Sequence, residues 1–357
     1  MHALVINEQG TAVHLEGELL LLSIKNNVVR KVRLAEIDEV LLFGRIELSN
    51  AAIHTLARRG VDILYLTLQG KFRARITGHR STSASLRLEQ LRRANDPDFC
   101  AAVTRAIVAG KITHQRNILL RAQRKLKDED LANTLARMRM LLDRIPNESN
   151  LDVLRGLEGM GASFYFSQFG KLIADANLAF HGRSRRPPAD PPNACLSFGY
   201  SILTSIVESE TLRCGFEPNL GFFHQPHSNR PSLALDLVEE FRPFVDTLTV
   251  RLFNLKQLAA TDFEIVGGPA LDELLTEPEP DSNNTIPPQP HAKHGVYLNE
   301  TGRKIFLKEF YSRLREKIMY PPRDGSFELR DIIREQIYLF ARVIRGENDT
   351  YSAFVPS

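Results

Sequence analysis

The hydrophobic periodicity of the chain changes once, near Gly78, and this change limits the folds that the chain can adopt. Before it, short apolar runs rich in branched residues alternate with turn residues such as Gly10 and Gly17, which is the pattern of short β-strands. Beyond it, apolar residues recur at intervals of three and four, which is typical of amphipathic helices. The sequence therefore predicts an α+β protein: an N-terminal β-sandwich-like domain at residues 1–80, followed by a larger all-α domain at residues 81–357.

Capping residues and prolines divide the second domain into separate helices. Asn150 is placed to cap a long helix, and the prolines near 187 and 191 indicate a rigid loop. A segment at residues 277–294 is rich in Pro, Asn and acidic residues, and we expect it to be a mobile loop. The predicted helices are 81–94, 98–126, 130–144, 150–176, 193–213, 232–245, 300–318 and 329–345.

Size and composition favour a soluble globular protein over a membrane-spanning or secreted one. A chain of 357 residues with 43% hydrophobic and 25% charged residues has the composition of a soluble globular protein, and its length suits two domains. The longest stretch without a charged residue, 191–207, contains prolines and polar residues, so no membrane span is expected. The first residues show no secretory signal, and the three cysteines form no CxxC pair. These features predict a cytoplasmic protein with no membrane partner.

The charge of the chain is unevenly distributed, although its net value is only +3. Residues 71–144 contain seventeen basic and seven acidic residues, an excess of ten. Residues 257–292 contain no Lys or Arg but seven acidic residues. A concentrated positive charge favours a polyanionic partner, because binding releases counterions. Solvated helix faces are the alternative interpretation of the same pattern.

One carboxylate lies on an apolar face of the predicted helix that Asn150 caps. Glu158 follows Leu151 by seven residues and Leu154 by four, so it shares their face. Burial of a carboxylate is costly unless it is paired or bound to a metal. The small residues 156, 159 and 161–163 would let a ligand approach closely. The alternative is that Glu158 lies at the edge of the stripe and pairs with Arg155.

A second group of polar residues follows Gly221-Phe-Phe. His224 lies on a loop that Pro226 bounds, and Asp236 and Glu239 are three residues apart in the predicted helix 232–245. Two carboxylates on one helix face repel each other unless a cation lies between them. One imidazole with two or three carboxylates fits Mg²⁺ or Mn²⁺ better than Zn²⁺. A solvated acidic face is the alternative.

Taken together and in this order, these motifs resemble the CRISPR-associated "Cas one" integrase and endonuclease family. The resemblance rests on Gly-Leu-Glu-Gly at 156–159, Leu-Gly-Phe-Phe-His at 220–224 and Ser-Leu-Ala-Leu-Asp-Leu-Val-Glu-Glu-Phe-Arg-Pro at 232–243. The segment 183–200, which begins Arg-Ser-Arg-Arg-Pro-Pro, extends the match. The β-then-helical order agrees as well, so the resemblance covers nearly the whole chain.

The resemblance implies a divalent-metal-dependent enzyme that joins the 3′-hydroxyl ends of short DNA fragments into a CRISPR array. It places the metal on Glu158, His224 and Glu239, with Asp236 as a further acidic member of the catalytic site. Other members carry Asp at the third ligand position, where this chain has Glu. The implied partners are DNA, a second copy that forms a homodimer through the N-terminal domain, and a small dimeric "Cas two" protein.

Four further residues are expected to contact DNA. The group Arg183, Arg185 and Arg186 would hold backbone phosphates. Tyr165 follows Glu158 by seven residues and would contact DNA near the metal, although a core aromatic is the alternative interpretation.

Two other functions remain open at this stage. The same site would serve a metal-dependent endonuclease that hydrolyses branched or single-stranded DNA, with water as the nucleophile. A DNA-binding scaffold without catalysis is a second alternative, against which the complete set of acidic and imidazole residues argues.

Overall fold

The N-terminal part of the chain forms two four-stranded sheets and one helix. The computed structural model describes residues 2–78, 83–175, 178–224, 230–268, 271 and 294–356. The first sheet has the strand order β1-β5-β7-β8, and the second has the order β4-β3-β2-β6. The elements are β1 His2–Ile6, β2 Thr11–Glu16, β3 Leu19–Ile24, β4 Asn27–Arg33, β5 Ile37–Phe43, β6 Glu47–Leu48, α1 Asn50–Arg58, β7 Asp62–Leu66 and β8 Phe72–Ile76.

Strand β5 connects two hydrophobic cores. Val40 and Leu42 pack with residues of the second sheet and of α1, whereas Leu41 and Phe43 belong to the core of the helical region. Side chains alternate between the two faces of a strand, so a strand that is buried on both faces needs an unbroken apolar run. The run Val-Leu-Leu-Phe meets this need, and the shared core of the two sheets confirms the sandwich-like prediction.

The second part of the chain is mostly helical. Its helices are α2 Ala84–Ala94, α3 Pro97–Leu126, α4 Glu129–Arg144, α5 Leu151–Phe169, α6 Pro191–Cys214, α7 Ser232–Val238, α8 Arg242–Asn254, α9 Glu300–Leu314 and α10 Leu329–Ile344. It also contains two small antiparallel sheets that the sequence analysis did not predict: β9 Phe263–Gly267 with β10 His294–Leu298, and β11 Lys317–Tyr320 with β12 Gly325–Glu328. Residues 277–293 of the predicted mobile loop lie outside the described residues, and His294 begins β10.

The predicted helix 232–245 is interrupted at the candidate site. Helix α7 ends at Val238, a 3₁₀ turn spans Glu239–Phe241, and α8 begins at Arg242. Pro243 accounts for the break, because a proline ring clashes with the carbonyl group four residues earlier, here that of Glu239. Asp236 and Glu239 therefore do not share one continuous α-helix, contrary to the sequence interpretation.

Helices α3 and α5 approach each other closely at the centre of the helical region. A Cβ atom on Gly161 of α5 would lie 2.8 Å from Cδ1 of Ile112 on α3, so only glycine permits this contact. Ile112 is fully buried, and its neighbour on α3 is Lys111. The packing thus brings Lys111 to the face of α5 that carries Glu158.

In the described part of the chain, no helix is long and apolar enough to cross a membrane.

Candidate metal centre

Two of the predicted ligands meet at a buried lysine. Nζ of Lys111 donates a hydrogen bond to Oε1 of Glu158 and lies 2.5 Å from Oε2 of Glu239. The three residues are 6%, 5% and 4% exposed, respectively. Glu158 does not pair with Arg155, contrary to the alternative interpretation, because Arg155 bonds Asp152 instead. The two carboxylates are therefore buried as a pair with one shared cation between them.

The charges of this group are balanced inside the protein. Burial alone would lower the pKa of Lys111, but the charges of Glu158 and Glu239 outweigh it and raise that pKa above its ordinary value. Nε of Arg242 lies 3.0 Å from the other oxygen of Glu239, and its guanidinium stacks 4.9 Å from the ring centre of Tyr200. Two basic side chains thus face two carboxylates, and the carboxylates hold the lysine in its charged form.

Asp236 organises the loop that carries His224. Oδ2 of Asp236 accepts the backbone N–H groups of Phe222 and Phe223 at 2.6 and 3.0 Å, and Oδ1 accepts that of His224 at 2.8 Å. Oδ1 also lies 2.7 Å from Nδ1 of the imidazole. This contact occupies Nδ1 and leaves Nε2 as the ring nitrogen that can bind a metal. Asp236 therefore acts through His224 and holds its orientation.

Arg155 ties the two halves of the site together. This residue precedes Glu158 by one helical turn on α5, and its Nε and Nη2 donate to the carbonyl oxygen of Phe223 at 3.1 and 2.8 Å. Phe223 is the residue before His224. The helix that positions Glu158 is therefore bonded directly to the loop that positions the imidazole.

The structure brings together only some of the residues that were predicted to bind one metal ion. It brings Glu158 together with Glu239, and His224 together with Asp236. Among the residues that the structure describes, no three His, Cys, Asp or Glu side chains lie close enough to hold a metal ion. The donor set nevertheless fits a hard divalent cation, since two buried carboxylates already share a cation and the loop that carries an oriented imidazole is bonded to the helix of Glu158.

The residues expected to contact DNA lie in different environments. Tyr165 is completely buried between Phe166 and Phe169, so its position is that of the core aromatic of the alternative interpretation. Arg183 directs Nη1 to Asn193 at 2.8 Å and Nη2 to Ser197 at 3.3 Å, and it thereby braces its own loop. Arg185 and Arg186 line a surface crevice together with Lys71. The contacts of these residues with DNA remain predictions.

Two basic residues of the site, Lys111 and Arg242, were not predicted from the sequence. Lys111 carried a usable signal, because it follows Ile107 by four residues and precedes Ile112, both of which are buried in the core. A charge at such a position indicates a buried partner by the same reasoning that singled out Glu158. Arg242 lies three residues after Glu239, which is a spacing typical of a local ion pair.

Comparisons with known proteins agree on one family. Residues 4–277 match the family model described as CRISPR associated protein Cas1. A protein of Rhodospirillum rubrum named CRISPR-associated endonuclease Cas1 2 is 33% identical over 98% of this chain and 97% of its own length. The CRISPR-associated endonuclease Cas1 1 of Chlorobaculum tepidum is 32% identical over 99% of this chain and 98% of its own.

Solved structures with low sequence identity share the fold. A Cas1 protein from Thermotoga maritima superposes with a TM-score of 0.76 at 21% identity, covering 99% of this chain and 100% of its own. A casposase bound to its integration product gives 0.79 at 19% identity, with 99% and 93% covered. A chain of a Cas6-RT-Cas1–Cas2 complex also gives 0.79 at 22% identity, where the match covers 99% of this chain and 36% of that longer one.

Proposed function

Since the chain belongs to the Cas1 family of CRISPR-associated proteins, we propose that it is a divalent-metal-dependent DNA integrase that inserts new spacers into a CRISPR array. A 3′-hydroxyl of a short DNA fragment loses its proton and attacks a phosphodiester of the array. A new P–O bond forms, the P–O bond opposite to it breaks, and the oxygen that leaves takes up a proton at the end of the cut strand. The observation that carries this proposal is the pair of buried carboxylates, Glu158 and Glu239, beside an imidazole that Asp236 orients.

The residues of the site have separate roles in this chemistry. Glu158, Glu239 and Nε2 of His224 would hold Mg²⁺ or Mn²⁺, which supplies charge neutralisation at the phosphate and orientation of the reacting oxygens. Asp236 keeps the neutral imidazole in the tautomer that presents Nε2. Arg242 contacts Oε1 of Glu239 through its Nε and so limits the conformations of that ligand.

The surface outside the site would hold DNA through its charge. The basic segment 71–144 includes α3 and α4, and its excess of ten positive charges favours contacts with phosphates rather than with bases. We further propose a homodimer through the N-terminal domain. We also propose a small Cas2 partner, since Cas1 and Cas2 stand together in the name of the Cas6-RT-Cas1–Cas2 complex. Such a reaction on an array would take place in the cytoplasm of a prokaryotic cell.

Hydrolysis by the same site is the second candidate. It is favoured by the names of the two curated relatives, both of which are called endonucleases. The two reactions differ only in the nucleophile, a DNA 3′-hydroxyl or water. The products therefore distinguish the two reactions, because transfer joins two DNA molecules and hydrolysis only cleaves one.

The test is a strand-transfer assay, run with the Cas2 partner present, that uses a labelled DNA fragment with free 3′-hydroxyl ends and a plasmid that carries a repeat. We expect labelled plasmid with the unmodified protein and Mn²⁺, and none with Glu158→Gln or His224→Ala. DNA affinity should be nearly unchanged in both variants, because phosphate contacts outside the site carry it. The control is Glu300→Gln, which removes half of an exposed ion pair with Lys304.

Two results would contradict the proposal. Cleaved plasmid without labelled product would assign hydrolysis instead. Normal joining by Glu158→Gln would show that the buried pair is not the catalytic centre.

A further inference from the structure

A single ammonium group lies where two metal-ligating oxygens converge. Nζ of Lys111 contacts Oε1 of Glu158 and Oε2 of Glu239, and all three side chains are shielded from solvent. Lys111 comes from α3, whereas Glu158 comes from α5 and Glu239 from the 3₁₀ turn after α7. The lysine therefore joins three separate elements at one point.

We propose that Lys111 is an internal counter-ion that holds the two carboxylates together in the metal-free protein, and that a divalent cation binds only by displacing its ammonium group from them. This inference rests on the proposed function, because it takes Glu158 and Glu239 as metal ligands. Lys111 would then be a residue that tunes metal affinity.

Charge balance requires the displacement. Lys111 and Arg242 already neutralise Glu158 and Glu239, so a divalent ion added to this group would leave two excess positive charges in a buried site. Uncompensated buried charge is strongly unfavourable. Movement of the Lys111 ammonium group away from the two carboxylates reduces the excess positive charge and frees their oxygens for the metal. A movement of the flexible four-carbon stem suffices, so the contact between α3 and α5 at Gly161 is retained.

The variant that tests this inference is Lys111→Met, which keeps the length of the apolar stem and removes the charge. Without metal, two buried carboxylates lose their shared cation, and the melting temperature should fall by roughly 10 °C. With Mn²⁺, the ion no longer competes with an ammonium group. We therefore expect calorimetry to show about tenfold tighter Mn²⁺ binding than in the unmodified protein, and a larger rise of the melting temperature on metal addition.

A surface lysine provides the matched control. Lys171 lies 2.7 Å from Asp128 and 3.5 Å from Asp130, so it also bridges two carboxylates, but its side chain is one-third exposed. Lys171→Met should leave both the Mn²⁺ affinity and its thermal effect unchanged. Equal or weaker Mn²⁺ binding by Lys111→Met relative to this control would overturn the inference.

A double variant separates lost charge from lost packing. Lys111→Met with Glu158→Gln removes one cation and one anion, so the metal-free melting temperature should recover most of the loss. If Lys111→Met folds only with Mn²⁺ or only as the double variant, the counter-ion role is supported. If neither Mn²⁺ nor Glu158→Gln restores the fold, that role is wrong.

The unmodified protein and its variants Glu158→Gln and Lys111→Met distinguish a failure of this inference from a failure of the proposed function. Loss of Mn²⁺ binding in Glu158→Gln, with an unchanged affinity in Lys111→Met, would overturn the lysine's role alone. Absence of strand transfer by an unmodified protein that binds Mn²⁺ through these residues would instead reject the integrase activity.

Discussion

Nδ1 of His224 lies 2.7 Å from Oδ1 of Asp236, and the same carboxylate accepts the three backbone N–H groups of residues 222–224. One side chain thus fixes both the loop and the ring that the loop carries. Asp236 is 1% exposed, so these bonds replace its entire hydration. A metal ion would therefore meet the imidazole of this pair rather than the carboxylate.

The substitution Asp236→Asn should impair stability and activity together. An amide keeps one acceptor oxygen but directs an NH₂ group at backbone donors, so at least one buried N–H group loses its partner. We expect a loss of about 2 kcal/mol or more in the free energy of unfolding. Loss of the imidazole's orientation should reduce metal affinity or strand transfer by about 10- to 100-fold. Chemical denaturation and Mn²⁺ calorimetry measure the two effects.

His224→Ala is the control, because it removes the ring and leaves the backbone bonds to Asp236. It should lose strand transfer while its unfolding free energy stays close to that of the unmodified protein. Equal stability of the two variants would show that Asp236 does not hold the loop.

The substitution Gly161→Ala should loosen the contact that brings Lys111 to Glu158. Its Cβ would lie 2.8 Å from two atoms of Ile112, which is fully buried and cannot move aside freely. Overpacking of this kind typically costs about 1–3 kcal/mol, which exceeds the helix propensity gained from alanine. We expect a lower denaturation midpoint and slower strand transfer.

Gly156 on the same helix is the matched control, since a Cβ there would meet nothing within 4 Å. Gly156→Ala should stabilise the protein by about 0.5–1 kcal/mol. Stabilisation by both alanines would contradict the close approach of α3 and α5.

His114 should make stability depend on pH in the acidic range. Burial lowers the pKa of this imidazole to about 4, because the charged form loses its hydration. The unfolded chain keeps a pKa near 6.5, so it binds the proton more readily than the folded chain does. The neutral His114 ring therefore makes its full contribution to the free energy of unfolding above pH 6.5, and this contribution is lost as the pH falls towards 4. The loss should reach about 3 kcal/mol.

Melting curves between pH 4 and 7 test this dependence. His114→Gln should flatten the decline across that range, whereas His54→Gln should not, because the His54 side chain is exposed. A decline of the same steepness in His114→Gln would assign the acid sensitivity to other groups.

The sequence predicted the parts of the site that follow from one element at a time. Glu158 was found because it interrupts the apolar stripe of its own helix. The break after Val238 was missed, although Pro243 carried a signal for it. The partners of Asp236 could not be predicted, since they depend on how the loop 220–224 folds against α7. The meeting of Lys111 with Glu239 likewise depends on the packing of three elements. Periodicity places a residue on a face, but it does not identify what the face contacts.

Arg183 and Arg186 should differ in their effects on DNA binding. Arg183 uses its donors on Asn193 and Ser197, so Arg183→Ala should lower the melting temperature. Arg186 lines the crevice with Lys71, and Arg186→Glu should weaken binding to all sequences alike. Each lost phosphate contact should reduce the slope of log affinity against log salt concentration by about 1.

Binding titrations at several salt concentrations, on two duplexes of unrelated sequence, measure this slope. Because Arg183→Ala removes a brace within the protein, its slope should change less than that of Arg186→Glu at a temperature where both are folded. An altered preference between the two duplexes in Arg186→Glu, with unchanged overall affinity, would mean that this arginine reads bases. The backbone contact argued for it would then be wrong.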